Sequence, residues 1–209
     1  LNTVNSNAFV EDIVADTTGS LDTRYPDGGL TYNSAALFGT HTVELSDKLI
    51  LNDGIRFSMV NLQSNWNDKT FFPFPFNAVS QNFKAVNGNI GLIYMPRTDM
   101  RIVLTGSTGF RAPNVDDMTK VFESVPGKVV APNPYLKPEF TYNGELSVSK
   151  TFLSQLTASV TGWYTSYTNA LTVDKGTFNG MDSVLYDGDM SQVLTTVNKG
   201  KAFLYGVEA

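Results

Sequence analysis

Few side chains in this sequence are suited to chemistry, and their spacing narrows the options quickly. His41 is the sole histidine, and there is no cysteine. A Ser-His-Asp triad needs a histidine held between nucleophile and carboxylate. His41 instead falls in phase with Leu37, Val43 and Leu45, so it reads as a wall or interface position. Disulfides and thiol chemistry are absent. Asp187 and Asp189 stand two apart in YDGDMS, with Asp182 nearby. That hints at calcium, but the Gly and distal Glu of a full calcium loop are missing, and the stretch reads as a solvated acidic loop. The 17 glycines sit singly apart from Gly28-Gly29, without a phosphate cradle. We therefore expect no enzyme, no metal site and no cofactor.

Binding is the better prospect. In FFPFPF, residues 71–76, prolines alternate with Phe72, Phe74 and Phe76 after Phe71. Such a stretch cannot be helical. It would be a rigid apolar loop that either packs on its neighbours or forms a wall over an incoming ligand. Phe122 and Tyr135 are further aromatic candidates for ligand contact. Two other words bracket Phe122, GFRAPN at residues 109–114 and APNPYLKPEF at 131–140, the second of which contains Tyr135. Arg111 directly follows a strand-like alternation that ends at Phe110. Its planar fork suits several carbonyl or carboxylate partners, and Glu139 or Glu145 is in reach on the returning limb. Pro113 removes a backbone donor where no ladder partner is wanted, and Pro134 and Pro138 stiffen the return. These six residues, Arg111, Pro113, Pro134, Pro138, Glu139 and Glu145, read as anchors of the loop's two feet.

The elements that position these residues have period 2. Leu156, Ala158, Val160, Gly162 and Tyr164 oppose Thr157, Ser159, Thr161, Trp163 and Thr165. Leu49, Leu51, Ile55, Phe57 and Met59 oppose Asn52, Arg56 and Ser58. One apolar and one mostly polar face argues half-buried antiparallel strands. The pattern predicts strands at about 33–46, 49–63, 84–95, 100–110, 140–151, 156–172 and 196–209. Asn143-Gly144 is a hairpin word in isolation, but the alternation runs through it. The connections 46–48, 96–99 and 152–155 are short. Those at 64–83, 111–139 and 173–195 are long, as is the stretch before residue 33. Strict alternation of short and long puts all large loops at one end of a meander, as in outer-membrane barrels. The polar face is too polar for a packed core and suggests a wet lumen. Seven strands cannot close a barrel, since about eight are needed. The fold class expected is therefore all-β: an antiparallel up-and-down arc of about seven strands from a larger transmembrane barrel.

Composition agrees. Over 209 residues, 12% are aromatic and the net charge is -5. An acidic chain repels phosphate backbones, so nucleic acid is not an expected partner. No run of about 18 apolar residues marks a membrane helix.

GFRAPNVDDM followed by NPYLKPEFTYNGELSV resembles the paired boxes of TonB-dependent outer-membrane receptors. SDKLILNDGIRFS resembles their recurring turn-strand unit, and NKGKAFLYGVEA the strand that often follows. The four blocks stand in the family's order and span nearly the whole chain. The resemblance implies a 22-stranded barrel in the bacterial outer membrane, a plug domain driven by TonB, and energy-coupled uptake of a scarce nutrient such as a siderophore, haem or cobalamin. It implies that residues 1–209 are part of the barrel domain, with the plug and the C-terminal strands outside this chain. The partners it implies are outer-membrane lipid, the TonB complex and a small-molecule or metal-chelate ligand. Some haem receptors of the family carry a histidine between the two boxes; residues 114–132 contain none, which counts against haem ligation through this loop. The rival readings are a passive porin-type barrel and a soluble β-rich surface binding module.

Overall fold

The computed structural model describes residues 2–4, 8–21, 26–69, 73–119, 121–153 and 155–209. Seven long strands carry the architecture: β1 (Leu30–Ser46), β2 (Leu49–Asn65), β3 (Ala78–Arg97), β4 (Met100–Arg111), β5 (Glu139–Phe152), β6 (Leu156–Lys175) and β7 (Asp189–Glu208). Each pairs antiparallel with the next, in an unbroken meander. The expected strands are all present in the expected order. Asn143-Gly144 lies inside β5.

Register explains why the alternation was so regular. Val43, Leu51, Leu92, Leu104, Leu146, Gly162 and Val207 stand in one row across all seven strands. The neighbouring row on the opposite face is Thr42, Asn52, Gly91, Thr105, Glu145, Trp163 and Gly206. Cross-strand neighbours on one face are the stabilising unit of a sheet, and here the first row carries no polar side chain across the whole arc. The apolar face is nonetheless open: Leu37, Ile55, Val86, Leu104, Val160 and Val207 are all exposed. A soluble protein rarely leaves so wide an apolar surface uncovered.

The turns at 47–48, 98–99 and 153–155 are short, and the connections 66–77, 112–138 and 176–188 are long. The two kinds alternate, so the long ones share one end. They contain structure of their own. A helical turn at Val115–Met118 and a hairpin of Phe122–Val125 with Lys128–Ala131 lie between β4 and β5. Lys128–Ala131 then runs parallel to residues 192–195 of β7. Ser183–Tyr186 folds back on the start of β7.

Two strands are longer than expected. β3 begins at Ala78 rather than 84, and β7 at Asp189 rather than 196. The acidic stretch read as a solvated loop is a hairpin tip: Tyr186 pairs with Asp189, and Asp187 and Gly188 have φ of 50° and 89°. Two positive φ values in a two-residue loop are what the Asp-Gly turn supplies, with a twist that matches the strands.

The buried cores lie at the long-loop end. One contains Leu30, Val60, Leu62, Trp66, Val79, Phe83, Ala112, Val115, Met118 and Leu136. A second holds Val129, Ala131, Phe178, Val184 and Val193.

Candidate functional site

The site begins where β4 ends. Arg111 stands opposite Glu139, the first residue of β5, and its Nη1 donates to Glu139 Oε2 at 2.5 Å. Its Nη2 donates to Asp117 Oδ2 at 2.8 Å. Asp117 also accepts from the Asn114 amide, and Asn114 Oδ1 accepts from the Asp117 amide, a reciprocal capping box on the helical turn. The other oxygen of Glu139 accepts the Leu171 amide of β6 at 2.7 Å. One guanidinium thus joins the end of β4, the start of β5, the helical turn and, through Glu139, β6. Burial works against the Arg111 cation. Its hydrogen bond to Glu139 and the field of Asp117 outweigh this, so its pKa lies above the usual value.

Pro113 is fully buried just beyond Arg111. The return limb is pinned as well. The Pro134 carbonyl accepts from Gln81 Nε2 of β3 at 2.8 Å. Asn133 Nδ2 donates to the Thr196 carbonyl of β7 at 2.9 Å, and the Pro138 carbonyl accepts from Asn169 Nδ2. Asn198 clamps Lys137 at both backbone atoms and also donates to the Asn169 carbonyl. The segment 133–138 therefore spans from β3 to β7, which are four places apart in the sheet. Asn169 and Asn198 were not foreseen. Each is a single amide making contacts about 30 or 60 residues away in sequence, and no local pattern marks such a residue.

Glu145, the alternative partner for Arg111, lies six residues into β5 opposite Thr105 and Trp163. Arg111 is brought to Glu139 and Asp117 instead. Among the aromatic candidates, Phe74 and Phe76 pack on buried Trp66, with ring centroids 5.4 and 5.0 Å away. Both border the first core. Phe71 and Phe72 lie outside the described residues. Phe122 is half-buried at the start of its short strand, and Tyr135 is 83% exposed. His41 shares a face with Leu37, Val43 and Leu45, and its Nδ1 sits 3.0 Å from Asp53 Oδ1 directly across the ladder.

The direction in which the loops fold is decided by residue parity. Val60 and Leu62 are on the same face of β2 as Asn52 and Arg56, and on β3 Phe83 stands opposite Val60 and Val79 opposite Ser64 on that face. Val115, Met118 and Leu136 cover these residues. So the loops 66–77 and 112–138 turn in against the polar face and roof its upper end. Just below this roof, the polar face holds a cavity of about 730 Å³ bounded by Tyr32, Phe38, Arg56, Asn87 and Phe110.

An open apolar face, a polar opposite face and inward-folded loops at one end form the wall of a wide barrel. The family model "TonB dependent receptor-like, beta-barrel" matches residues 2–209. The chain belongs to the TonB-dependent receptors. Among solved structures, the haemophore receptor HasR of Serratia marcescens, solved as a double mutant with its haemophore HasA and haem, superposes with a TM-score of 0.69 at 14% identity. The match covers 91% of this chain and 33% of HasR. The copper transporter OprC gives 0.69 at 14% identity, over 95% of this chain and 28% of OprC. A mutant of the ferric enterobactin receptor PfeA of Pseudomonas aeruginosa, in complex with enterobactin, gives 0.56 at 12% identity, over 98% and 36%. At such identities the likeness is one of fold, and the chain spans about a third of the proteins it matches. No curated protein matches the chain by sequence. The family and these neighbours are receptors and transporters rather than enzymes. In a TonB-dependent receptor barrel the apolar face is the lipid wall and the polar face lines the lumen.

Proposed function

We propose that this chain is an arc of the barrel of an outer-membrane receptor for TonB-coupled uptake of a scarce small-molecule or metal-chelate ligand. The observation that carries this reading is the roof over the lumen face: loop residues Val115, Met118 and Leu136 buried against Val60, Leu62 and Phe83. A passive porin needs an open aqueous path, and a packed apolar roof narrows it. A receptor that closes over its cargo has a use for one. The long loops then face the outside, the short turns face the periplasm, and the plug that engages TonB lies elsewhere in the protein. The solved relatives are named for haem, copper and ferric enterobactin, which supports a metal-bearing cargo as the first class to test.

Growth of a deletion strain on defined iron, haem, cobalamin and copper sources is the test. We expect loss of growth on one scarce source, restored by the intact gene only while TonB is present. Restoration that persists without TonB overturns the reading in favour of a porin. Recovery of the native protein in buffer without detergent favours a soluble module.

A further inference from the structure

We infer that Arg56 and Asn87 form a lumen-wall site for an anionic oxygen group, such as a carboxylate, carried on a flat apolar body. This rests on the uptake reading above and assigns a chemical class to a ligand that passes the roof.

The charge environment comes first. On the polar face Arg56 stands between Phe38 of β1 and Asn87 of β3. The next positions on that face are Ala36, Thr40, Gly54, Ser58, Ala85 and Asn89. None is acidic. Arg97 and Arg111 both hold carboxylates, whereas Arg56 has no carboxylate partner among the described residues. Its Nε donates to Ser58 Oγ at 3.1 Å, which fixes the fork and leaves its outer edge toward the cavity. The guanidinium carbon lies 6.0 Å from the Phe38 ring centroid, within cation–π range.

Asn87 is the second observation. Its Nδ2 is buried and has no hydrogen-bond partner. A buried amide donor left unpaired is costly, and native structures hold few of them. Asn87 borders the same cavity as Arg56, and a rotation of its side-chain amide would bring this idle donor to an oxygen group held by Arg56.

The third is the shape. The β3–β4 ladder stops at Asn89–Ser107. One step further, Thr108 Oγ1 accepts from the Gly88 amide at 2.9 Å in place of a ladder bond. Above that point β4 stays with β5, and the space between β3 and β4 opens. Tyr32, Phe38 and Phe110 border the cavity, whose volume of about 730 Å³ is that of a small-molecule site. A planar guanidinium that can bind a carboxylate through two nitrogens, an idle amide donor and aromatic walls together select an anion on a flat body.

The test uses the full-length receptor in detergent, titrated calorimetrically with benzoate and with its neutral counterpart benzamide. We expect benzoate to bind at least about tenfold more tightly, since charge-assisted contacts of this kind are worth a decade or more. Arg56→Gln should bring benzoate to the level of benzamide, and Arg56→Lys should restore part of the difference. Asn87→Asp places a carboxylate opposite Arg56 and should also weaken benzoate at least about tenfold. Thermal unfolding of each variant reads folding separately. The site is overturned if wild type binds benzoate no better than benzamide at millimolar concentration, or if Arg56→Gln and Asn87→Asp leave benzoate affinity unchanged. Lowered thermal stability in Arg56→Gln with unchanged benzoate affinity also overturns it, because the guanidinium then serves a carboxylate elsewhere in the protein. These failures leave TonB-dependent growth untouched. Loss of TonB dependence with benzoate discrimination intact sinks the uptake reading instead.

Discussion

Arg111→Ala should loosen the loop 112–138 at its base. The side chain makes two charge-assisted hydrogen bonds, to Glu139 and Asp117. Such bonds are worth about 1.5–3 kcal/mol each when sheltered. The Arg111 side chain is 49% exposed, so solvent screening brings each nearer 1 kcal/mol. The partners are more enclosed, at 14% and 20% exposure. Each keeps one backbone donor after the change, from Leu171 and Asn114, which limits the penalty of stranding them. The docked loop should therefore lose roughly 2 kcal/mol, which is about a thirtyfold rise in its open fraction. Hydrogen exchange on the full-length receptor reads this directly. The amides of Asp117 and Thr119, bonded within the capped turn, should exchange about thirtyfold faster. Glu139→Gln makes the control: its side-chain carbonyl can still accept from the Leu171 amide, so Leu171 stays protected while the turn loosens. If Arg111→Ala leaves all these amides as protected as before and yet abolishes ligand binding, the anchor reasoning is wrong and Arg111 contacts the ligand.

Three further outcomes follow from the faces and the roof. Val160→Arg on the apolar face should cost about 2–4 kcal/mol in refolding into lipid vesicles if it lies near the midplane, and Thr161→Arg on the polar face much less; equal costs would break the face assignment. Cysteines placed at Asp47 and Thr98, in the short turns, should escape an impermeant thiol reagent on intact cells, whereas cysteines at Asp68 and Asp187, in the long connections, should react; the reverse pattern refutes the orientation. Leu62→Ala empties a fully buried position under the roof and should destabilise the receptor by about 2–5 kcal/mol, while Leu37→Ala on the exposed apolar face should cost less than half of that by thermal or denaturant unfolding.

The fold was legible where one face was uniformly apolar. The row from Val43 to Val207 keeps its character across seven strands, so period 2 found all seven long strands and none of the short ones in the connections. Legibility failed where the inner face changed its chemistry. In the first residues of β3, Val79 and Phe83 on the inner face are buried, while Ser80 and Asn82 point the other way. The apolar residues there have the parity of the polar face lower down, and the alternation no longer names a single wall. The start of β7 failed for the same reason: Ser191 and Val193, of one parity, are both buried, under a partner that comes from the distant segment 128–131. Asp187-Gly188 is a turn word inside the stretch that reads as a solvated acidic loop, and the four-residue segments paired on either side of it are too short to show a period. At the loop base, residue type and position pointed to Arg111 and Glu139, since each directly abuts a strand. Nothing in the sequence marks Asp117, whose contact depends on the capped turn folding back, or Asn198, whose clamp on Lys137 has no local signal.

On the proposed uptake reading, the roof sets the terms on which a ligand passes this part of the lumen. Its outer ties are polar: Arg111 at one foot, and Asn133, Asn169 and Asn198 at the other. Its centre is apolar, with Leu62 and Met118 fully buried. Water can replace the polar partners at modest cost, because exposed and half-exposed bonds trade protein for solvent nearly evenly. It cannot replace the apolar contacts. Lifting the loop exposes Met118 and Leu62 at roughly 1.5–3 kcal/mol each, before counting Val115 and Leu136. The feet therefore fix where the loop sits and add to the cost of opening, and the apolar centre supplies the larger share of that cost. A ligand that opens the roof must offer an apolar surface in exchange, or bind what lies beneath more tightly than the loop binds its own wall. The aromatic-lined cavity around Arg56 lies directly under that cover, so its occupant and the loop compete for the same side of the sheet.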